Sequence, residues 1–305
     1  MTLGAVIACL DPPASLVEAA AETLRQLREL GAGARVVAVD DGSGASAAPV
    51  FAALEAIGVE VLHQANAGIA AALNAGITAL RDGVGPAGAG ALTHVLTLDQ
   101  DSRLEPGYAA AAIAAAVRLA EAGAAYGFVA SETYSDRRAP TDGPVPGVAG
   151  LWRAFDPMQS GWVVPVSTFD AVGLLDEGLV IDGVDSEFTV RCRAAGLSPV
   201  VAPGAGLAHG QGERVPGRVL GRSVGAVNHH SPTRVRYMAR NGTLITVRYA
   251  ASQPRWVARR LVEEAMAHLL RLALDPDRRA LGAAMLRGWR DGLLGRTGPL
   301  PVRRS

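Results

Sequence analysis

The segment Thr97-Leu98-Asp99-Gln100-Asp101-Ser102-Arg103-Leu104 places two carboxylates at spacing i, i+2 behind the apolar run His94-Val95-Leu96-Thr97-Leu98. On an extended backbone that spacing turns Asp99 and Asp101 to one face. Two same-side acids at a strand end suit a divalent cation, because hard cations take oxygen ligands and leave positions open for phosphate. Alone, the triplet also fits a strand closed by a turn-forming Asp. Other groups that could do chemistry are Asp40-Asp41, Gln64 and Asn66, the cluster Asp182, Asp185 and Glu187, and His209.

The pattern around these residues predicts what positions them. Ala5 to Leu10, Arg35 to Val39, Val59 to Leu62 and Thr93 to Leu98 read as short apolar strands. Leu16 to Leu30, Ala48 to Ile57, Ile69 to Leu80 and Gly107 to Ala122 have helical spacing. Strands alternating with helices predict a mainly parallel α/β sheet with helices on both faces. Ligands of such sheets bind beyond the carboxyl ends of the strands. Asp11, Asp40-Asp41, Gln64 with Asn66, and Asp99 with Asp101 all fall there, on one rim.

Further along, Thr133 to Ala149 reads as a mobile connecting loop, and Phe155 to Val166 as a strand pair around Ser160-Gly161. Phe188 to Ala195 reads as a helix, Leu207 to Gly210 as the end of a short strand, and the chain from Arg234 as amphipathic, Arg-faced helices. By position, Asp182 reads as a helix N-cap with Asp185 at N3, both favoured by the helix dipole without any catalysis. Asn66 and Asn74 could likewise cap the helix between them, and His63, His209, His229 and His230 read as loop histidines. Trp152 and Trp162 read as packing.

Composition removes several mechanisms. All 29 basic residues among the 305 are Arg, and the chain has no Lys. A Walker A loop, a Schiff-base enzyme and a Lys-dependent sugar-nucleotide pyrophosphorylase are therefore excluded. Cys9 and Cys192 form neither a zinc pattern nor a disulfide framework, and the expected compartment is a reducing cytoplasm, with no signal peptide or membrane span. Residues 1–213 hold 11 Arg against 24 acids, and residues 214–305 hold 18 Arg against 5 acids. The basic tail predicts an anionic counterpart: a membrane leaflet, nucleic acid, or the acidic half of the same fold. Nucleic acid is disfavoured because the arginines lack interleaved aromatics.

Read in order, several pieces resemble the family 2 glycosyltransferases, with the closest match in the rhamnosyltransferase branch. They are Val39-Asp40-Asp41-Gly42-Ser43, Asn66-Ala67-Gly68-Ile69-Ala70 with Leu73 to Ile77, Leu98 to Ser102, and Ser160-Gly161. Val172 to Glu177, Ile181-Asp182 through Val184-Asp185-Ser186-Glu187 with Arg191, His209, and Ser231 to Asn241 complete the series over roughly residues 3–250.

The resemblance implies a GT-A nucleotide-diphospho-sugar transferase fold with a C-terminal helical extension. It divides the chain into a catalytic domain over 1–230, with a nucleotide-binding half over 1–130 and an acceptor half over 150–215, and an Arg-rich extension over 231–305. It implies a nucleotide and donor site at Asp40, Asp41, Asn66, Gly68, Asp99 and Gln100. Asp99, Asp101 and His209 would hold Mn²⁺ or Mg²⁺, Asp185 would be the general base, and Ser160, Gly161, Trp162 and Glu187 would position acceptor or sugar. Under this reading catalysis falls to Asp185 and capping to Asp182. The chain departs from the branch at Asp41, Gln159 and Phe188, where Asn, Ser and Trp are usual; Gln159 and the neighbouring Trp162 bear on the acceptor or sugar pocket.

The expected function is inverting transfer of L-rhamnose from dTDP-L-rhamnose onto a cell-surface polysaccharide or lipid-linked glycan. The alternatives are the same fold using UDP-galactofuranose or GDP-mannose, and a non-catalytic nucleotide-sugar-binding protein. The basic helices would rest on an anionic membrane at the inner face of the plasma membrane.

Overall fold

Strands covered on both faces are apolar, and the runs Leu3–Cys9, Val36–Asp40 and His94–Asp99 obey that rule, whereas the edge run Glu60–His63 exposes Glu60 and His63. The computed structural model describes all residues except 32, 84–90, 136, 211–213, 220–221 and 301–305. It opens with β1 (Leu3–Cys9), α1 (Leu16–Leu30), β2 (Val36–Asp40), α2 (Ala48–Ala56), β3 (Glu60–His63), α3 (Ile69–Asp82) and β4 (His94–Asp99). Next come β5 (Ser102–Leu104), α4 (Tyr108–Glu121), β6 (Val129–Tyr134), β7 (Arg137–Arg138), β8 (Thr141–Pro144), β9 (Trp152–Ala154) and β10 (Trp162–Pro165). Then α5 (Val166–Val172), α6 (Val184–Ala194), β11 (Val200–His209), β12 (Arg214–Val219) and β13 (Arg222–Asn228) lead to α7 (Pro232–Tyr249), α8 (Pro254–Leu274) and α9 (Arg278–Leu293).

The main sheet runs β3-β2-β1-β4-β10-β6-β11-β9-β8. Its first four strands are parallel, β10 enters antiparallel, and β6 and β11 pair in parallel. One face packs against α1, α2 and α4 through Leu16, Leu24, Leu27, Phe51, Leu54, Ala112 and Leu119. The other packs against α3, α5, α6 and α7 through Leu73, Ile77, Phe169, Phe188 and Leu244. Helix α3 lies close because Gly76 has no side chain; a Cβ there would stand 2.3 Å from Val6 Cγ1.

The second half departs from the expected elements in three places. Phe155 to Val166 is no strand pair: β9 pairs with β11 at one side of the sheet while β10 lies between β4 and β6. The stretch between them therefore crosses the sheet end and carries Ser160-Gly161 to the β4 terminus. Thr133 to Ala149 is not a bare loop, since it contains the end of β6 together with β7 and β8. Helix α6 starts at Val184, four residues ahead of the expected Phe188, because positive φ at Asp182 (60°) and Gly183 (82°) reverses the chain just before it. The cap is Gly183, with no side-chain cap hydrogen bond, so Asp182 is not the N-cap.

The last three helices pack on this body. Ile245, Tyr249, Trp256 and Val257 share a buried cluster with Phe155 and Val190. Helices α7 and α9 touch backbone to backbone at Gly288 and Gly292, where a Cβ would meet Arg236 O at 2.5 Å and Arg240 O at 2.6 Å. Part of the tail's positive charge is answered within the fold: Arg234 pairs with Asp182, Arg248 with Asp176 and Glu187, and Arg260 with Asp156.

Candidate active site

β1 and β4 are neighbours in register, Ala8 opposite Asp99, so the loops after both strands open on the same edge. The backbone does not stay extended through the acidic triplet. β4 ends at Asp99, the chain turns at Gln100 and Asp101, and β5 begins at Ser102. The turn frees Gln100 to grip the neighbouring loop: its Oε1 accepts from Leu10 N at 2.7 Å and its Nε2 donates to Leu10 O at 3.0 Å. Gln100 is thereby committed to tying the two strand ends together.

β5 pairs antiparallel with β11, Ser102 opposite His209, and this register brings His209 to the acids across more than a hundred residues. One ligand atom each from Asp99, Asp101 and His209 lie within 4.8 Å of one another. A hydroxyl relay supports the group. Asp99 N donates to Ser160 Oγ at 3.0 Å, Ser160 Oγ donates to Ser102 Oγ at 2.7 Å, and Ser102 Oγ lies 2.8 Å from His209 Nδ1. His209 Nδ1 also lies 3.4 Å from Asp101 Oδ1, so Ser102 and Asp101 together fix the imidazole at the acids. Ser102 is 3% exposed.

The electrostatics of the site are those of acids crowded around a buried carboxylate, with Arg234 the opposing charge at Asp99. Asp99 Oδ1 is buried and has no hydrogen-bond partner. Burial first, then the charges of Asp101 and Asp185, pushes the Asp99 carboxyl up to about 7, with Arg234 opposing. Burial likewise raises Asp185, and Asp182 adds to the shift. Two oxygens and an imidazole nitrogen around an orphaned buried carboxylate oxygen form a donor set that fits Mn²⁺ or Mg²⁺.

Asp185 sits in the first turn of α6, its Oδ1 accepting from Ser186 N at 2.8 Å. The strained approach to this helix, with φ of 66° at Val180 and 60° at Asp182, is held from α7. Asn241 Nδ2 donates to the carbonyls of Leu179, Ile181 and Asp182 at 3.0, 2.8 and 2.7 Å, and buried Arg240 donates to Leu179 O at 3.0 Å. Asp182 itself accepts from Arg234 at 3.0 to 3.2 Å.

The remaining rim residues organise loops. Asp40 accepts from Ser43 N and meets His63 Nδ1, both at 2.8 Å. Asp41 accepts from Gln64 Nε2, Ala67 N and Gly68 N. Asn66 therefore stands at the crest of a loop that Asp41 shapes. Gly68 has φ of 97°, and a Cβ there would stand 2.4 Å from Val180 O, so this loop lies directly on the approach to α6. Asn74 does not cap α3; it exchanges hydrogen bonds with Leu175 and donates to Glu177.

Of the four residues expected at the acceptor, Ser160 and Gly161 reach the cluster. Gly161 (φ 91°) donates to Thr97 O, and a Cβ there would meet Ser131 Oγ at 2.4 Å. The side chains of the other two lie inside the protein. Trp162 is 1% exposed and stacks on Phe128 and Phe188. Glu187 binds Arg191 at 2.8 Å and accepts from Tyr249 Oη at 2.7 Å. Sequence reasoning missed Ser102, Arg234 and Asn241. The first contributes through register alone, whereas Arg234 and Asn241 lay in a motif with no role assigned to it. Gln159 shows both amide atoms buried without partners beside Ser160.

Fold and site together define a nucleotide-diphospho-sugar transferase architecture of the GT-A type. The model of the family described as Glycosyl transferase family 2 matches residues 6–173, and the chain belongs to that family. It is 33% identical over 88 residues to the dTDP-rhamnosyl transferase RfbF of Shigella flexneri, a match covering 29% of this chain and 28% of that protein. The fold is similar to that of GalNAc-T7 crystallised with UDP, GalNAc and Mn²⁺, at TM-score 0.57 and 14% identity over 85% of this chain and 51% of the other. It is also similar to the mannosyltransferase PcManGT of Pyrobaculum calidifontis in complex with GDP-Man and Mn²⁺, at TM-score 0.53 and 14% identity over 96% and 87%.

Proposed function

We propose that this chain is a metal-dependent, inverting glycosyltransferase that moves a sugar from a nucleoside diphosphate onto a glycan or lipid-linked acceptor. L-Rhamnose from dTDP-L-rhamnose is the proposed donor. The observation that carries the reading is the gathering of Asp99, Asp101 and His209 within 4.8 Å, with the Asp185 charge felt at Asp99. The partial likeness to a dTDP-rhamnosyl transferase supports the choice of donor.

Asp99, Asp101 and His209 would hold the cation, which when bound neutralises charge developing on the departing diphosphate. Ser160 and Ser102 hold the His209 ring beside Asp101. Asp41 shapes the loop bearing Asn66 and Gly68 and Asp40 the turn at Ser43, against which the nucleoside rests, and Gln100 fixes the neighbouring loop edge. Asp185 takes the proton of the acceptor hydroxyl as that oxygen attacks the anomeric carbon opposite the leaving group. One base and one displacement invert the anomeric centre. The test is a hydrolysis and transfer screen over dTDP-, UDP- and GDP-sugars, with Mn²⁺ and with chelator. Metal-dependent turnover of dTDP-L-rhamnose above the others is expected; no turnover of any donor overturns the reading.

The C-terminal helices are proposed to lie on an anionic membrane surface. No described helix is long and apolar enough to cross a membrane. Helix α8 exposes Leu261, Val262, Met266 and Leu269, and α9 exposes Leu286, Trp289 and Leu293. Exposed Arg255, Arg278, Arg279 and Arg290 accompany them, each Arg near such a surface contributing about 1 kcal/mol. Sedimentation with anionic vesicles at low salt and release at high salt are expected; no binding at low salt removes the proposal.

A further inference from the structure

A cavity of about 570 Å³ lies between the loop after β3, the first turns of α7, the middle of α9 and the chain that follows α9. Arg236, Tyr237 and Arg287 stand in its walls, and no acid lines it among the described residues. Val180, Pro299 and Leu300 give it an apolar side. A space of that size suits a small organic ligand.

The charge around this cavity does not balance. Behind Arg236, buried Asp291 accepts from Arg236 Nε at 2.8 Å and from Arg296 Nη1 at 2.8 Å, so one carboxylate answers two guanidinium groups. Arg240, fully buried, lies 4.8 Å over the Tyr237 ring and gives its protons to Asn241 Oδ1 and to the carbonyls of Leu179 and Gly298 rather than to a carboxylate. Arg287 is exposed and forms no ion pair among the described residues. Asp176 and Asp182, on the segment that carries Val180, are already taken by Arg248 and Arg234. Four guanidinium groups thus share the single carboxylate of Asp291. Buried charge is costly unless answered, and excess charge beside low-dielectric walls draws an ion of opposite sign.

We propose that this cavity is a second anion site, separate from the centre formed by Asp99, Asp101 and His209, and that it holds a phosphate group. Phosphate oxygens accept hydrogen bonds, and guanidinium groups meet them with a planar fork of donors. Tyr237 Oη accepts from Leu300 N at 2.8 Å and keeps its own proton to donate. A divalent cation would find no carboxylate here, and a neutral ligand would leave the excess charge unanswered. The apolar side takes the carbon skeleton that the phosphate carries, either the headgroup end of a lipid or a soluble phosphate ester.

Titration calorimetry of the full chain with inorganic phosphate, at constant ionic strength and with dTDP and Mg²⁺ in excess to fill the donor site, tests this. Phosphate should bind, and Arg287→Glu should weaken it about tenfold or more, since the change reverses a charge at the cavity wall. Arg290→Glu makes the same charge change on α9 outside the cavity and should bind phosphate within twofold of wild type. Both side chains are exposed, and thermal midpoints serve as the fold control. Sedimentation with phosphatidylcholine vesicles, with and without phosphatidic acid, separates the sources. A larger loss of binding to the phosphatidic acid vesicles in Arg287→Glu than in Arg290→Glu assigns the phosphate to a lipid headgroup, and equal behaviour of the two variants on vesicles assigns it to a soluble ester. The site is overturned if phosphate does not bind, if Arg287→Glu binds it as wild type does, if Arg290→Glu weakens it equally, or if phosphate binds only when dTDP is absent, which would place it at the diphosphate site.

Discussion

Replacing Asp99 by Ala is expected to abolish Mn²⁺ binding and to lower sugar transfer by about 10³-fold or more, since Lewis-acid stabilisation is worth several kcal/mol at 1.36 kcal/mol per tenfold. The loss should fall on metal affinity first, read by calorimetry or by the electron paramagnetic resonance of free Mn²⁺. Removing only the support should cost less: Ser102→Ala leaves all three ligands but frees the His209 ring to turn away from Asp101, and about 10–100-fold weaker Mn²⁺ binding is expected. The pH dependence has a definite sign. Because Asp99 is pushed up to about 7, a cation entering below that pH must displace a proton, so Mn²⁺ affinity should fall as pH drops through 7 and level off above it. A carboxyl raised in the folded state gives stability that is full below its unfolded value near 3.9 and lost as pH rises through 7. Metal-free Asp99→Asn should therefore melt above metal-free wild type at pH 8, and the gap should close as pH falls from 7 towards 4. Retention of wild-type Mn²⁺ affinity in Asp99→Ala would remove the metal site from this strand end.

The first half of the fold was legible because β1, β2 and β4 are buried on both faces and α1 carries strong periodicity. Helix α1 begins and ends where the pattern put it, and β4 differs by one residue. The strand-end rule then located Asp40, Asp41, Asn66 and Asp99 on one edge. What the sequence could not display was the register of distant strands. Ser102 reaches His209 only because β5 and β11 pair antiparallel, and nothing local distinguishes Ser102 from any serine after a turn. The same blindness misread Phe155 to Val166 as a hairpin, since apolar runs flanking a glycine look alike whether they pair together or join different parts of a sheet. Asp182 misled for a local reason: N-cap statistics favour Asp, but its positive φ and the Arg234 ion pair gave the cap to Gly183. Trp162 and Glu187 lie beside Gly161 and Asp185 in sequence, but strand and helix geometry turn their side chains to the core.

Asp185→Asn separates catalysis from the structural role that position alone allowed. The amide preserves the oxygen that accepts from Ser186 N, so a residue serving only to start α6 would be replaced at little cost. A general base would lose its function, and transfer should fall about 10²–10⁴-fold with Mn²⁺ and nucleotide affinity within twofold of wild type. Stability should move the opposite way from a lost cap. Burial raises Asp185 and leaves a charge poorly compensated above its ionisation, so the metal-free variant should melt no lower than wild type at pH 8. The pH–rate profile adds a second reading. A base must be ionised to act, so raised ionisation places the acid limb of wild-type activity above the ordinary carboxylate range. Asp156 lies close enough for the charge of Asp185 to raise it further beyond what burial does. Asp156→Asn removes one negative neighbour, favours ionised Asp185, and should carry the acid limb to lower pH. Asp185→Asn should erase that limb from the residual rate. If Asp185→Asn keeps wild-type transfer, the base lies elsewhere; if Asp156→Asn moves the limb upward, the charge coupling across α6 has been assigned with the wrong sign.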